Sequence, residues 1–156
     1  MEFYYLKDKP EFITQIADWY FEQWGYLMVT PSVEIIKHKL QAQLNSNKLP
    51  LMLLLVENEQ LLGVSQLKFR EMDIYPDKEH WLGGVYICNR QRGKGLAKKM
   101  IIKAKDIASS LNVKTLYLQT IDLSGGIYSQ LGWQAIEQTT DKGEEVLVMQ
   151  CHLTHT

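Results

Sequence analysis

Cysteine is scarce in this chain: Cys88 and Cys151 are the two it has among 156 residues. Two thiols make no disulfide framework, and with 46% hydrophobic residues the chain can bury a sizeable core without one. A reducing, cytoplasmic setting is the expectation. Long apolar runs are missing too. The longest, Leu51 to Val56, is far too short to span a bilayer, and the opening Met1-Glu2-Phe3, soon followed by Lys7 and Asp8, lacks the pattern of a secretion signal. No membrane partner is expected. Nor is one sign of charge in excess: 17 Lys and Arg against 18 Asp and Glu leave a formal net charge of -1. That balance argues against a broad electrostatic pull toward nucleic acid, so any basic site must be local and the partner is expected to be small. Repeats, linkers and low-complexity tracts are absent, which predicts one domain over residues 1–156.

What is present alternates between strand-like and helix-like patterns. Glu2 to Leu6 reads as a strand. Phe12, Ile13, Ile16, Ala17, Tyr20 and Trp24 recur at helical spacing up to Gly25, and Val33, Ile36, Leu40 and Leu44 do so after Pro31-Ser32. Leu51 to Val56 and Leu61 to Phe69 read as antiparallel strands about a short turn, followed by a polar loop from Arg70 to His80. Trp81 to Cys88 reads as a buried strand. Leu96 to Leu111 is an amphipathic helix whose stripe is Leu96, Met100, Ala104, Ile107 and Leu111. Lys114 to Ile121 is a strand, Ser124 to Leu131 a short helix, and Trp133 to Gln138 and Glu145 to Cys151 are strands joined through Asp141-Lys142-Gly143. The order predicts an α/β fold of the α+β kind, a central mixed sheet flanked by helices.

The chemistry concentrates where Arg90-Gln91-Arg92-Gly93-Lys94-Gly95-Leu96-Ala97 follows a strand and opens a helix. Backbone N–H groups at a helix N-terminus attract phosphate, glycines let it approach, and Arg92 and Lys94 add charge. A nucleotide P-loop is excluded, because Gly95 and not Ser or Thr follows Lys94 and Cys88 stands at the earlier glycine position. The dinucleotide pattern fails because Lys98 replaces its third glycine.

Arg90-x-x-Gly93-x-Gly95, and in a second register Arg92-x-x-Gly95-x-Ala97, resemble the acetyl-CoA pyrophosphate motif of the GNAT acetyltransferase superfamily. Val85-Tyr86-Ile87 resembles the family strand whose backbone pairs with the pantetheine arm. Farther on, Ile127-Tyr128-Ser129-Gln130-Leu131-Gly132-Trp133 looks like the family's second signature. The two motifs stand in the family's order and cover Trp81 to Leu153; the N-terminal half matches by element order.

The resemblance implies a GNAT-like fold and direct transfer of an acetyl group from acetyl-CoA, as co-substrate, to an amine, with a small-molecule amine favoured as acceptor. It implies a cofactor site at Val85, Tyr86, Ile87, Arg90, Arg92, Gly93, Lys94, Gly95, Leu96 and Ala97. Asp122 stands where the family often has an asparagine for the pantetheine, and Lys98 is a candidate for the 3′-phosphate. Tyr128 matches the family's acid, a phenol able to protonate the departing sulfur; its bland reading is a core tyrosine. An alkylammonium must lose a proton before it attacks, so a base is needed. The family's strand glutamate aligns with Trp81, leaving the neighbours Glu79 and His80 as catalytic candidates or simply solvated loop residues. Glu71, Asp73, Asp77 and Glu79 could attract a cationic amine, and Trp19, Tyr20, Trp24 and Tyr26 could shape the acceptor pocket. Cys88 lacks the context of a covalent acetyl carrier. Cys151, His152 and His155 lack a second pair at metal spacing, so no metal is expected. A catalytically impaired CoA-binding domain, or a phosphate- or RNA-binding module, remains open as an alternative, as does monomer or homodimer.

Overall fold

A computed structural model describes residues 1–153; His155 lies outside them. Among the described residues, seven strands and four α-helices follow in the order β1 (Glu2–Tyr5), α1 (Ile13–Trp24), α2 (Val33–Gln41), β2 (Leu51–Glu57), β3 (Gln60–Phe69), β4 (His80–Ile87), α3 (Leu96–Ser110), β5 (Thr115–Thr120), α4 (Gly126–Gln130), β6 (Gln134–Asp141) and β7 (Glu144–His152). Short 3-10 turns at Pro10–Phe12, Gly25–Leu27 and Asn89–Gln91 lead into or out of them. The strands form one sheet, ordered β1-β2-β3-β4-β5-β7-β6. Neighbours are antiparallel except β4 and β5, which run parallel. The expected mixed sheet flanked by helices is therefore observed.

Both faces of the sheet centre are covered, which is why β2 reads as an unbroken apolar run. Leu51, Leu53 and Leu55 join Met100, Ile101 and Ala104 of α3 in one core. Met52, Leu54 and Val56 point the other way, into a core with Ile16 and Tyr20 of α1 and Leu40 of α2. Full burial of such side chains contributes roughly 1.5–3 kcal/mol each. Two hairpins close on tight turns: Asn58 and Glu59 at φ 50° and 64° between β2 and β3, and Lys142 and Gly143 at 50° and 81° between β6 and β7. Paired positive φ values are the two-residue turn that matches strand twist.

One stretch differs from its polar sequence. The loop between β3 and β4 folds in, burying Met72 and Tyr75 against Trp81, Val146 and Val148. Turns at Met72 and Tyr75 make this possible: Tyr75 N–H donates to Met72 O at 3.1 Å and Lys78 N–H to Tyr75 O at 3.1 Å. The Tyr75 hydroxyl donates to Glu137, and the Lys78 ammonium lies 5.1 Å and 5.2 Å from the Tyr75 and Tyr117 ring centres. α2 also ends at Gln41, before the expected Leu44.

Two departures in β4 create the site. Val64 pairs with Tyr86 but Gln66 pairs with Gly83, so β4 carries one more residue than β3 between these points. That bulge centres on Gly84 at φ 56°. On its other side, β4 meets β5 at Trp81 and Tyr117. Beyond that pair the strands diverge, and the end of β4 faces an opening.

Candidate active site

The turn after β4 is built as its sequence suggests. Gly93 and Gly95 both adopt φ 78°, a left-handed conformation costly for any residue with a Cβ, and a Cβ at either would project into open space. Gly95 caps α3 without any side-chain hydrogen bond, so the first N–H groups of a 15-residue helix stay available. Arg92 is fixed beside them: its Nε donates to Ile87 O at 2.9 Å and its guanidinium lies 5.2 Å from the Tyr86 ring centre.

These residues line a cleft of about 500 Å³. Of the expected cofactor residues, Val85, Tyr86, Ile87, Arg92, Gly93, Gly95, Leu96 and Ala97 form its wall, joined by Lys98, Gln91, Ile127 and Tyr128. Gln23 and Trp24 of α1 also reach it. Arg90 and Lys94 do not line it. Both side chains are exposed, and Lys94 Nζ donates to Gln91 Oε1 at 3.2 Å. Asp122 does not line it either, because its carboxylate accepts from Ser124 N–H at 3.0 Å and Ser124 Oγ at 2.6 Å in the loop before α4. Those hydrogen bonds hold the Asp122 carboxyl below its ordinary range.

A second cleft, of about 510 Å³, opens on the other side of the β4 bulge. Gln23, Trp24, Val85 and Tyr128 belong to both clefts, so Tyr128 stands on the partition between them. Burial, and then the nearby charge of Glu71, push the Tyr128 hydroxyl up to about 12. It is a phenol, a proton donor, throughout the neutral range. Its ring packs edge-on to Trp133 at 6.0 Å.

The second cleft is lined by Tyr20, Tyr26, Gln66, Lys68, Glu71, Gly83 and the β6–β7 hairpin. Tyr20 donates to Gly84 O at 2.6 Å, which satisfies a carbonyl of the bulge; burial keeps it firmly protonated. Tyr26, an exposed residue of this lining, donates to Glu144 Oε1 at 3.2 Å. Of the four loop acids, Glu71 enters the cleft, while Asp73, Asp77 and Glu79 do not line it. Glu79 and His80 lie 3.8 Å from one another at the opposite end of β4, with His80 against the Phe69 ring. Trp81, aligned with the family glutamate, is fully buried and its Nε1 donates to Lys78 O. Gln23 and Gln66 carried no signal in the sequence beyond their place in a helix and a strand.

Among the described residues no group of three or more His, Cys, Asp or Glu could hold a metal ion, and no helix is long and apolar enough to cross a membrane. The positive-φ glycines, the uncapped N–H groups of α3 and the unpaired end of β4 fit the pyrophosphate and pantetheine of acetyl-CoA.

Among curated proteins, no sequence match was found. The fold, in contrast, is widely shared. An aminoglycoside 6′-acetyltransferase type Ii superposes with a TM-score of 0.74 at 16% identity, over 100% of this chain and 99% of the other. The yncA structure from Salmonella typhimurium, with its cofactor acetyl-CoA, gives 0.72 at 18% identity, over 100% and 95%. A ribosomal-protein-alanine N-acetyltransferase from Brucella melitensis gives 0.71 at 16%, over 98% and 100%. The sequence model of the acetyltransferase (GNAT) family matches residues 12–133, most of the chain and both motif-bearing regions. By that match, the chain belongs to the GNAT family of acetyltransferases, which use acetyl-CoA as co-substrate.

Proposed function

We propose that the chain acetylates a small-molecule amine, with Tyr128 as the acid that protonates the departing sulfur. The observation that carries this reading is the position of Tyr128 on the partition between the two clefts, one built for an anionic, extended cofactor and the other for an acceptor. Acetyl-CoA, when bound, supplies the acetyl thioester. The α3 N-terminus and the Gly93 and Gly95 turn hold its pyrophosphate, and the free edge of β4 at Val85 to Ile87 aligns its arm.

Tyr128 then gives its proton to sulfur as the acetyl C–S bond breaks and an acetyl C–N bond forms; overall the ammonium loses one proton to solvent. A phenol with a pKa of about 12 stays protonated until that demand arises. The modest volume of the second cleft, about 510 Å³, supports a small acceptor over a protein surface. The neighbour named for aminoglycoside acetylation is consistent with that class.

The test is twofold. Acetyl-CoA at about a hundred times its dissociation constant should stabilise the fold by roughly 2.7 kcal/mol. With acetyl-CoA present, thiol release should then depend on a small primary amine and should not be stimulated by a peptide with a free N-terminal alanine. No thermal shift at millimolar acetyl-CoA, or turnover with the peptide alone, refutes the reading.

A further inference from the structure

Inside the second cleft the chain places a primary ammonium of its own. Lys68, on β3, ends 2.7 Å from Glu71 Oε1, and the two side chains are 28% and 17% exposed. The pair lies directly over Gly83 of β4. A Cβ there would stand 2.6 Å from Lys68 Cε, 2.9 Å from Glu71 Oε1 and 3.0 Å from Lys68 Nζ. The missing side chain of Gly83 is therefore what lets a carboxylate from the β3–β4 loop reach into the cleft. Glu71 and Tyr128 line the same cleft, so the carboxylate and the phenol open on one space.

We propose that Glu71 is the seat of the acceptor's ammonium and takes its proton, that Lys68 occupies this seat in the free enzyme, and that the acceptor is accordingly an unhindered primary alkylamine. This rests on the acetyl-transfer reading. Glu71 lines the cleft, whereas the sequence-derived candidates Glu79 and His80 do not.

Exchange of one alkylammonium for another keeps the carboxylate paired, so the binding step never leaves a half-buried charge alone. The titratable groups facing Glu71 are the Lys68 ammonium from β3 and the neutral Tyr128 phenol from α4. Farther along the cleft stand Lys39 from α2 and Asp141, Lys142 and Glu144 from the hairpin. Three cations therefore balance three acids, and the cleft has no net field to gather a polycation; selection falls to the single carboxylate at Gly83.

The protons balance. One N–H bond of the ammonium breaks and its proton passes to a Glu71 oxygen, leaving the nitrogen lone pair free to form the C–N bond. Tyr128 protonates sulfur, and the surplus proton of the newly acylated nitrogen restores the phenol; Glu71 releases its own proton to water. Neutralising Glu71 also removes a charge that opposes Tyr128 ionisation, at the stage when Tyr128 must give its proton away.

The test compares wild type, Lys68→Met and Glu71→Gln. Calorimetric titration with n-butylamine, tyramine and spermidine, at saturating CoA, reads the seat without turnover; thiol release with acetyl-CoA reads KM and kcat/KM. In Lys68→Met, which removes the competing ammonium but keeps the stem, amine binding should tighten several-fold and KM should fall. In Glu71→Gln, binding should weaken about tenfold or more, as expected for a lost hydrogen bond to a charged group, and kcat/KM should fall by at least as much. Acetyl-CoA should raise the melting temperature of all three alike.

Amine binding that ignores both substitutions, or that occurs in none of the three proteins, overturns the proposal. Binding that follows the pattern without thiol release keeps the seat and removes the acetyl-transfer reading. Release with a KM indifferent to both substitutions does the reverse.

Discussion

Tyr128→Phe isolates one hydroxyl. Among the described residues that hydroxyl has no hydrogen-bond partner, so its removal orphans nothing, and the remaining ring keeps its edge-on contact with Trp133 at 6.0 Å. Stability at neutral pH should change by no more than about 0.5 kcal/mol. The glycine turn and the α3 N-terminus are untouched, so the stabilisation by acetyl-CoA should remain. Chemistry is where the loss belongs. A positioned general acid contributes about a hundredfold to ten-thousandfold, or roughly 2.7 to 5.5 kcal/mol of barrier at 1.36 kcal/mol per factor of ten. The assay is thiol release from acetyl-CoA with the best amine of the panel, at saturating concentrations of both, beside thermal unfolding with and without acetyl-CoA. A kcat within threefold of wild type would show that sulfur leaves without this proton. A lost thermal shift would show instead that the ring holds the cofactor, and either result refutes the assignment.

The same residue predicts a pH effect on folding. Its hydroxyl is raised from 10.0 to about 12 in the fold, so its contribution to stability is fully present below pH 10 and is lost as pH climbs toward 12. The variant lacks that dependence; between pH 9 and pH 11 its unfolding free energy should therefore gain on wild type, by up to about 1.4 kcal/mol per pH unit, and a constant gap would contradict the shift. A pair of glycine variants separates backbone strain from cofactor binding. Gly95 and Gly143 both hold positive φ, 78° and 81°, with open space at the Cβ position. Valine at either should cost roughly 1–2 kcal/mol, yet acetyl-CoA should cease to stabilise Gly95→Val and should still stabilise Gly143→Val. Equal responses would dissociate the turn from the cofactor.

The parts of this molecule that are legible in its sequence are those whose physics is local. The turn ahead of α3 needs a left-handed backbone at two nearby positions, so Gly93 and Gly95 before the stripe of α3 announce it. The hairpin at Asp141-Lys142-Gly143 is legible for the same reason, since positive φ is demanded within two adjacent residues. The β3–β4 loop fails this condition. Met72 and Tyr75 stand alone among charged residues, and their burial depends on Trp81, Val146 and Val148, which are brought to them by other strands. No period in the loop itself encodes that contact.

The second cleft illustrates the same limit. Sequence reading takes the candidate base nearest to the family position, Glu79 or His80 beside Trp81, because distance along the chain is all it can measure. In the fold, proximity to the partition is set by where β4 lacks side chains. Gly83 leaves the space that Lys68 and Glu71 fill, and a Cβ at Gly84 would stand 2.5 Å from the Tyr20 hydroxyl and 3.0 Å from Gln66 Nε2. Two adjacent glycines in a strand otherwise rich in Trp, Leu, Val and Ile were the available signal, since glycine weakens a strand unless something must approach its backbone. What approaches here is a pair of tyrosine and glutamine groups on one glycine and an ion pair on the other. The glycine pair thus fixes which carboxylate can enter the cleft, and a glutamate from a loop comes to stand where a strand side chain would otherwise have closed the space.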